Sequence, residues 1–171
     1  MKIALGCDHA GVDYKLAIIE HLNKKGIETE DFGTNDKQSC HYPVFAKKVT
    51  DAVVSGEADF GILVCGTGIG MSIAANKVSG IRAAHVTDCF SAEATRQHNN
   101  ANVLCLGQRI IGEGLALKIV DIFVSTEFLG GRHQERIENG EKTDKKTSTI
   151  KFDSRIHNLE NDISSISSII E

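Results

Sequence analysis

Five times between residues 2 and 125 a short apolar run gives way to a helical pattern, and this alternation constrains the chain more than any other feature. Lys2–Cys7 (KIALGC) stops at a polar cluster, as a buried strand would. Val12–Lys25 then puts Leu16, Ile19 and Leu22 on one helical face. Ile27–Phe32 reads as a second, more polar strand and Val44–Val54 as a helix. Phe60–Cys65 (FGILVC) is the clearest strand; a Gly-rich turn and a helix near Ile69–Lys77 follow it. Ile81–Val86, a helix near Ser91–Gln97, Val103–Leu106 and a helix near Leu115–Ser125 complete the series. Strands alternating with helices imply an α/β fold with a parallel sheet covered on both faces. Right-handed crossovers make it a doubly wound, Rossmann-like sandwich of five strands.

The 171 residues fit one domain of ordinary globular composition, 41% hydrophobic and 25% charged. The net charge of −4 argues against nucleic acid as a partner. The first six residues, MKIALG, are too short for a signal-peptide hydrophobic region, and no long apolar run follows, so a membrane role is not expected and the cytoplasm is the expected compartment. The five cysteines, at 7, 40, 65, 89 and 105, include no CxxC pair, which speaks against a disulfide framework and a zinc knuckle. All 16 glycines lie at or before Gly140. This shift in composition divides a folded domain, 1–140, from a C-terminal extension, 141–171. In the extension Phe152, Ile156, Leu159, Ile163, Ile166 and Ile170 recur at alternating spacings of 4 and 3. That stripe suits either a helix packed on a partner or a frayed tail.

Ligands of open α/β sheets bind at the carboxyl ends of the strands. Asp8, His9 and Gly11 follow the first strand, and the segment Cys65-Gly66-Thr67-Gly68-Ile69-Gly70-Met71-Ser72 follows the third. His98 and Asn99 stand just before the last strand and Arg109 just after it, so one edge is expected to collect the whole polar set. Three alternating glycines let the backbone present N–H groups to a ligand at a helix start. Met71 stands where a dinucleotide fingerprint needs its third glycine, and no Gly-Lys-Ser/Thr ending marks a phosphate-binding P-loop. A nest of donors beside a thiol remains. Cys65 ends a strand and faces a helix start, the setting that activates a thiol as nucleophile, base or redox group. Cys7, Cys40, Cys89 and Cys105 read as packing, and His21 and His85 as structural. Arg132 and Arg136 are spaced i,i+4 and share a helical face, which suits either a phosphate dianion or a solvated surface.

Several segments together resemble one family: GCDHAG (6–11), Tyr42–Pro43, CGTGIGMSIAANK (65–77), GIRAA (80–84), RQHNNANVLCLGQR (96–109) and GGRHQERI (130–137). They are similar to the type B ribose-5-phosphate isomerases, within a wider sugar-phosphate isomerase family that includes galactose-6-phosphate isomerase subunits. The resemblance implies interconversion of ribose 5-phosphate and ribulose 5-phosphate through an enediolate, in the non-oxidative pentose phosphate pathway. It also implies that no cofactor or metal takes part, and that a homodimer (with pairing into tetramers left open) shares its active sites between subunits. Carried over, Cys65 is the base and His98 the acid that opens the sugar ring; the Thr67 hydroxyl, beside the thiol in the sequence, is expected to shuttle a proton between O1 and O2. Asp8, His9, Tyr42 and Asn99 contact the sugar phosphate, while backbone groups of Gly66, Gly68, Ile69 and Gly70 receive the enediolate. Arg109, Arg132 and Arg136 hold phosphate. The alternatives are a hexose 6-phosphate isomerase acting on allose or galactose 6-phosphate, a non-catalytic sugar-phosphate sensor, and a redox protein built on Cys65.

Overall fold

The computed structural model describes residues 1–142. The heptad-like stripe from Phe152 to Ile170 lies outside the described residues. Contacts divide the chain into a compact unit, Met1–Leu129, and a second unit beginning at Gly130.

In the first unit five strands alternate with five helices: β1 (Lys2–Cys7), α1 (Val12–Lys24), β2 (Glu28–Asp31), α2 (Tyr42–Val54), β3 (Phe60–Cys65), α3 (Ile69–Ala75), β4 (Ala83–His85), α4 (Cys89–Asn99), β5 (Val103–Gly107) and α5 (Glu113–Ser125). Every strand pair is parallel, in the order β2-β1-β3-β5-β4. The doubly wound sheet expected from the alternation is therefore present. The inner strands β1, β3 and β5 are buried on both faces, so they read as continuous apolar runs rather than alternating ones.

The period of two along each strand divides the core in two. Ile3, Leu5, Ile62, Val64, Leu104 and Leu106 face α1, α4 and α5, where Phe123 is fully buried. Ala4, Leu63, Cys65, Val103 and Cys105 face α2 and α3, with Val49 and Met71. Burying one such large side chain contributes about 1.5–3 kcal/mol, so the two layers supply the bulk of the stabilising free energy.

Helix α1 is rotated from the face that its leucines suggest. Val12, Lys15, Ile18 and Leu22 are buried, whereas Leu16 stays 48% exposed. Lys15 occupies an apolar-stripe position because its ammonium finds three acceptors inside: Asp31 Oδ2 at 2.6 Å, Asn35 Oδ1 at 2.7 Å and the Thr34 carbonyl at 2.9 Å. Its aliphatic stem does the packing. In the second unit, helix α6 covers 132–142 and follows Gly130 and Gly131, both at positive φ.

Candidate active site

The chain leaves β1 for α1 on one face of the sheet and β3 for α3 on the other, and these two strands are neighbours. The region outside their carboxyl ends is the switch point of such a sheet, where ligands of open α/β sheets bind. Two loops meet there. Gly11 lets the first approach closely, since a Cβ on it would lie 2.5 Å from the carbonyl oxygen of Val64. Asp8 is 93% buried by the same approach (7% exposed); its amide donates to Val64 O at 3.3 Å, and its Oδ1 accepts the Ala10 amide at 2.9 Å.

The second loop leaves β3 at Cys65, which is buried. Its Sγ accepts the amide of Gly68 at 3.1 Å. Gly68 adopts the left-handed conformation, φ 82°, in which its N–H turns back on the sulfur; a side chain there would be strained and would meet His85. Thr67 is exposed, and its Oγ1 accepts the Ile69 amide at 3.3 Å. Two of the expected anion donors, the Gly68 and Ile69 amides, are thus engaged within the loop. The first-turn amides of Gly70 and Met71 find no acceptor among the described residues.

The loop after β5 joins the other two. Gln108 donates its amide to Cys65 O at 2.9 Å and Arg109 to Gly66 O at 3.0 Å. Gln108 also ties this loop to α1, accepting the Tyr14 amide at 3.1 Å and donating to Asp13 at 3.1 Å. The guanidinium carbon of exposed Arg109 comes 3.6 Å from the Cβ position of Gly66. Tyr42, the first residue of α2, lays its ring against Gly70 from the other side, 3.1 Å from the Cβ position there. Asp8, His9, Tyr42, Cys65–Gly70 and Arg109 are therefore assembled at one edge of a single protomer.

His98 and Asn99 are not. Helix α4 starts at the carboxyl edge and runs its 11 residues, about 16 Å, back across the sheet. Its last turn lies at the amino edge, where Asn102 accepts the Arg82 amide and its carbonyl accepts the Gly61 amide. The expectation that one edge of one chain collects the whole polar set is corrected here: a residue just before a parallel strand lies at its amino end. Asn99 instead lines an open cleft of about 270 Å³ with Asn76, Arg82 and Thr95. Arg132 and Arg136 lie in the second unit, exposed and one turn apart on α6.

The remaining cysteines and histidines separate into two groups. Burial pushes the Cys7 thiol up to about 12, against the pull of the Lys15 ammonium. Burial also raises Cys105 strongly, with nearby Cys65 adding to the effect. Both are packing thiols, as their place in apolar strands suggests. Cys40 is not: half-buried, it lies beside His9, its amide 3.3 Å and its sulfur 3.9 Å from Nδ1. Cys89 is half-buried at the start of α4. His21 is structural, 2.7 Å from Asp121. His85 is exposed at the end of β4 with its ring over Gly68, a placement that no motif signalled. Among the described residues no cluster of His, Cys, Asp or Glu could hold a metal ion.

The fold and loops define a doubly wound α/β protein whose switch point offers a thiol beside backbone donors and a guanidinium. The chain belongs to the Ribose/Galactose Isomerase family, whose model matches residues 3–139. It is 50% identical over 137 residues to ribose-5-phosphate isomerase B of Escherichia coli, covering 80% of this chain and 92% of that one. Among solved structures it resembles ribose-5-phosphate isomerase B of Clostridium thermocellum, with TM-score 0.85 and 51% identity over 86% of this chain and 99% of that one. The ribose-5-phosphate isomerase B of Mycoplasma genitalium, solved with bound ribulose-5-phosphate, matches with TM-score 0.80 and 44% identity, covering 84% of this chain and 96% of that one.

Proposed function

We propose an assignment of this site to the reaction of the family. The chain interconverts D-ribose 5-phosphate and D-ribulose 5-phosphate, as the names of its relatives and the ribulose-5-phosphate complex of one of them support. Cys65 acts as the base. Its thiolate takes the C2 proton of the open aldose, the C–H electrons form the C1–C2 double bond, and negative charge moves onto O1. The new S–H then returns its proton to C1 as the O2–H proton passes to O1 through the Thr67 hydroxyl. The Gly70 and Met71 amides face the developing enediolate; one such donor is typically worth on the order of 10²–10³ in rate. Asp8, His9 and Tyr42 hold the sugar, and Arg109, Arg132 and Arg136, some of them from the neighbouring copy, hold the phosphate, so binding at the far end aligns C1 and C2. No metal or cofactor enters these steps.

His98 opens the ring and Asn99 binds a hydroxyl, and both come from a second copy of the chain. Their place at the amino edge supports a homodimer with shared sites, because one protomer does not bring them to Cys65. The isomerase domain is 1–140, in line with a family match ending at 139, and 141–171 is an extension. No helix among the described residues is long and apolar enough to cross a membrane, and we assign the protein to the cytoplasm.

The observation that carries this reading is the Cys65 thiol at the switch point, oriented by the Gly68 amide at 3.1 Å. The test is ketose formation from ribose 5-phosphate in buffer containing chelator, beside a Cys65→Ser sample and an allose 6-phosphate sample. Conversion should favour the pentose and fall at least a thousandfold in the variant, the scale for a group that acts in the transition state. Undiminished turnover by Cys65→Ser would remove the thiol from the base role. Turnover of the hexose alone would give the protein the other substrate.

A further inference from the structure

We infer that the main-chain amide of Cys40 holds His9 in its Nε2–H tautomer, which makes His9 a hydrogen-bond donor to the substrate and denies it the role of a second base. The inference uses the site described above, but the tautomer itself is independent of the reaction assigned to it.

A neutral imidazole has one N–H and one bare nitrogen, and the partner of one nitrogen decides which is which. The Cys40 amide can only donate, and it points at Nδ1 over 3.3 Å. Nδ1 therefore carries the lone pair and the ring proton resides on Nε2. The Cys40 sulfur, 3.9 Å from the same nitrogen, occupies the same side of the ring. What His9 offers elsewhere is an N–H, suited to a hydroxyl, carbonyl or phosphate oxygen and unable to accept a carbon-bound proton.

The amide is on a strapped segment. Between β2 and α2 the chain is pinned at Thr34, whose carbonyl accepts from both Lys15 Nζ at 2.9 Å and Cys7 Sγ at 3.3 Å. Asn35 is held by the same ammonium at 2.7 Å, and Lys37 pairs with Asp13 of α1 at 2.7 Å. At its far end the segment enters α2 at Tyr42. Cys40 is thus a positioning residue, acting on the substrate only through the ring of His9.

The experiment is ¹⁵N spectroscopy of the imidazoles in the full-length protein at pH about 8.5, where an ordinary histidine is neutral. His9 signals are identified by their loss in His9→Gln. A bare Nδ1 and protonated Nε2 are expected; an Nδ1–H tautomer would overturn the inference whatever the activity. Cys40→Ala keeps the amide and should keep the tautomer, and a change there would show that the thiol governs. Cys40→Pro removes the amide: the tautomers should mix, and KM should rise about three- to tenfold with kcat less affected, the scale of one net hydrogen bond. A folded Cys40→Pro protein with an unchanged spectrum would also overturn it, and if that variant fails to fold, the unsubstituted protein decides.

Discussion

Lys15 shows how a single residue far from the chemistry shapes the site. Its ammonium is fully buried, yet each contact is made to an oxygen of Asp31, Thr34 or Asn35. Two of these begin the strap that carries Cys40 and Tyr42. Replacing it by methionine keeps the stem and removes the charge, so Asp31 Oδ2 and Asn35 Oδ1 lose the ammonium and the Thr34 carbonyl keeps the Cys7 thiol as its side-chain donor. Because the Asp31 side chain is 30% exposed, water recovers part of the loss. Lys15→Met should cost about 2–3 kcal/mol, below the 3–5 kcal/mol of a broken, fully buried pair. Urea unfolding would read this as a lower midpoint at unchanged slope. An unaltered midpoint would mean that the ammonium contributes nothing to holding the strap. Sequence pattern pointed to Leu16 on this helix rather than Lys15, because periodicity counts apolar side chains and cannot see acceptors that arrive from residues 31–35.

At the scale of elements, legibility followed burial. Lys2–Cys7 and Phe60–Cys65 were readable to the residue, since strands buried on both faces must be apolar throughout. Ile81–Val86 shortened to Ala83–His85, because β4 is an edge strand that pairs with β5 alone. Helix α4 begins two residues before its periodic stretch, at a cap. Asp88 accepts the Ser91 amide and hydroxyl, both at 2.8 Å, and these bonds hold its carboxyl below the ordinary range. A carboxyl lowered in the folded state stabilises above its unfolded pKa and loses that contribution as pH falls through the folded one. Asp88→Ala should therefore melt below the unsubstituted protein at pH 7, with the gap narrowing below pH about 4 and closing as the carboxyl is protonated. Melting curves between these limits would check it, and a gap that stayed constant into strong acid would assign the loss to something other than the charged cap.

At the scale of the molecule, the decisive fact is the direction of α4. The motifs around Cys65 and His98 are both plain in the sequence, but a linear motif does not say which end of a strand it borders. Topology does, and it sends His98 and Asn99 to the edge opposite Cys65 in the same chain. If, as proposed, two copies of the chain share their sites, that separation becomes a sharp prediction. Cys65→Ser and His98→Gln proteins, each expected to be inactive by itself, should regain activity when unfolded together and refolded as a mixture. Half of randomly paired dimers contain one chain of each kind. In such a dimer one site carries both substitutions and the other carries neither, so isologous pairing predicts about one quarter of the unsubstituted rate. The ribose 5-phosphate assay reads this directly. Recovery near one quarter requires the thiol of one chain to work with the imidazole of the other. No recovery from folded, mixed dimers would place both groups in one protomer and demand a rearrangement of α4 that brings its last turn across the sheet.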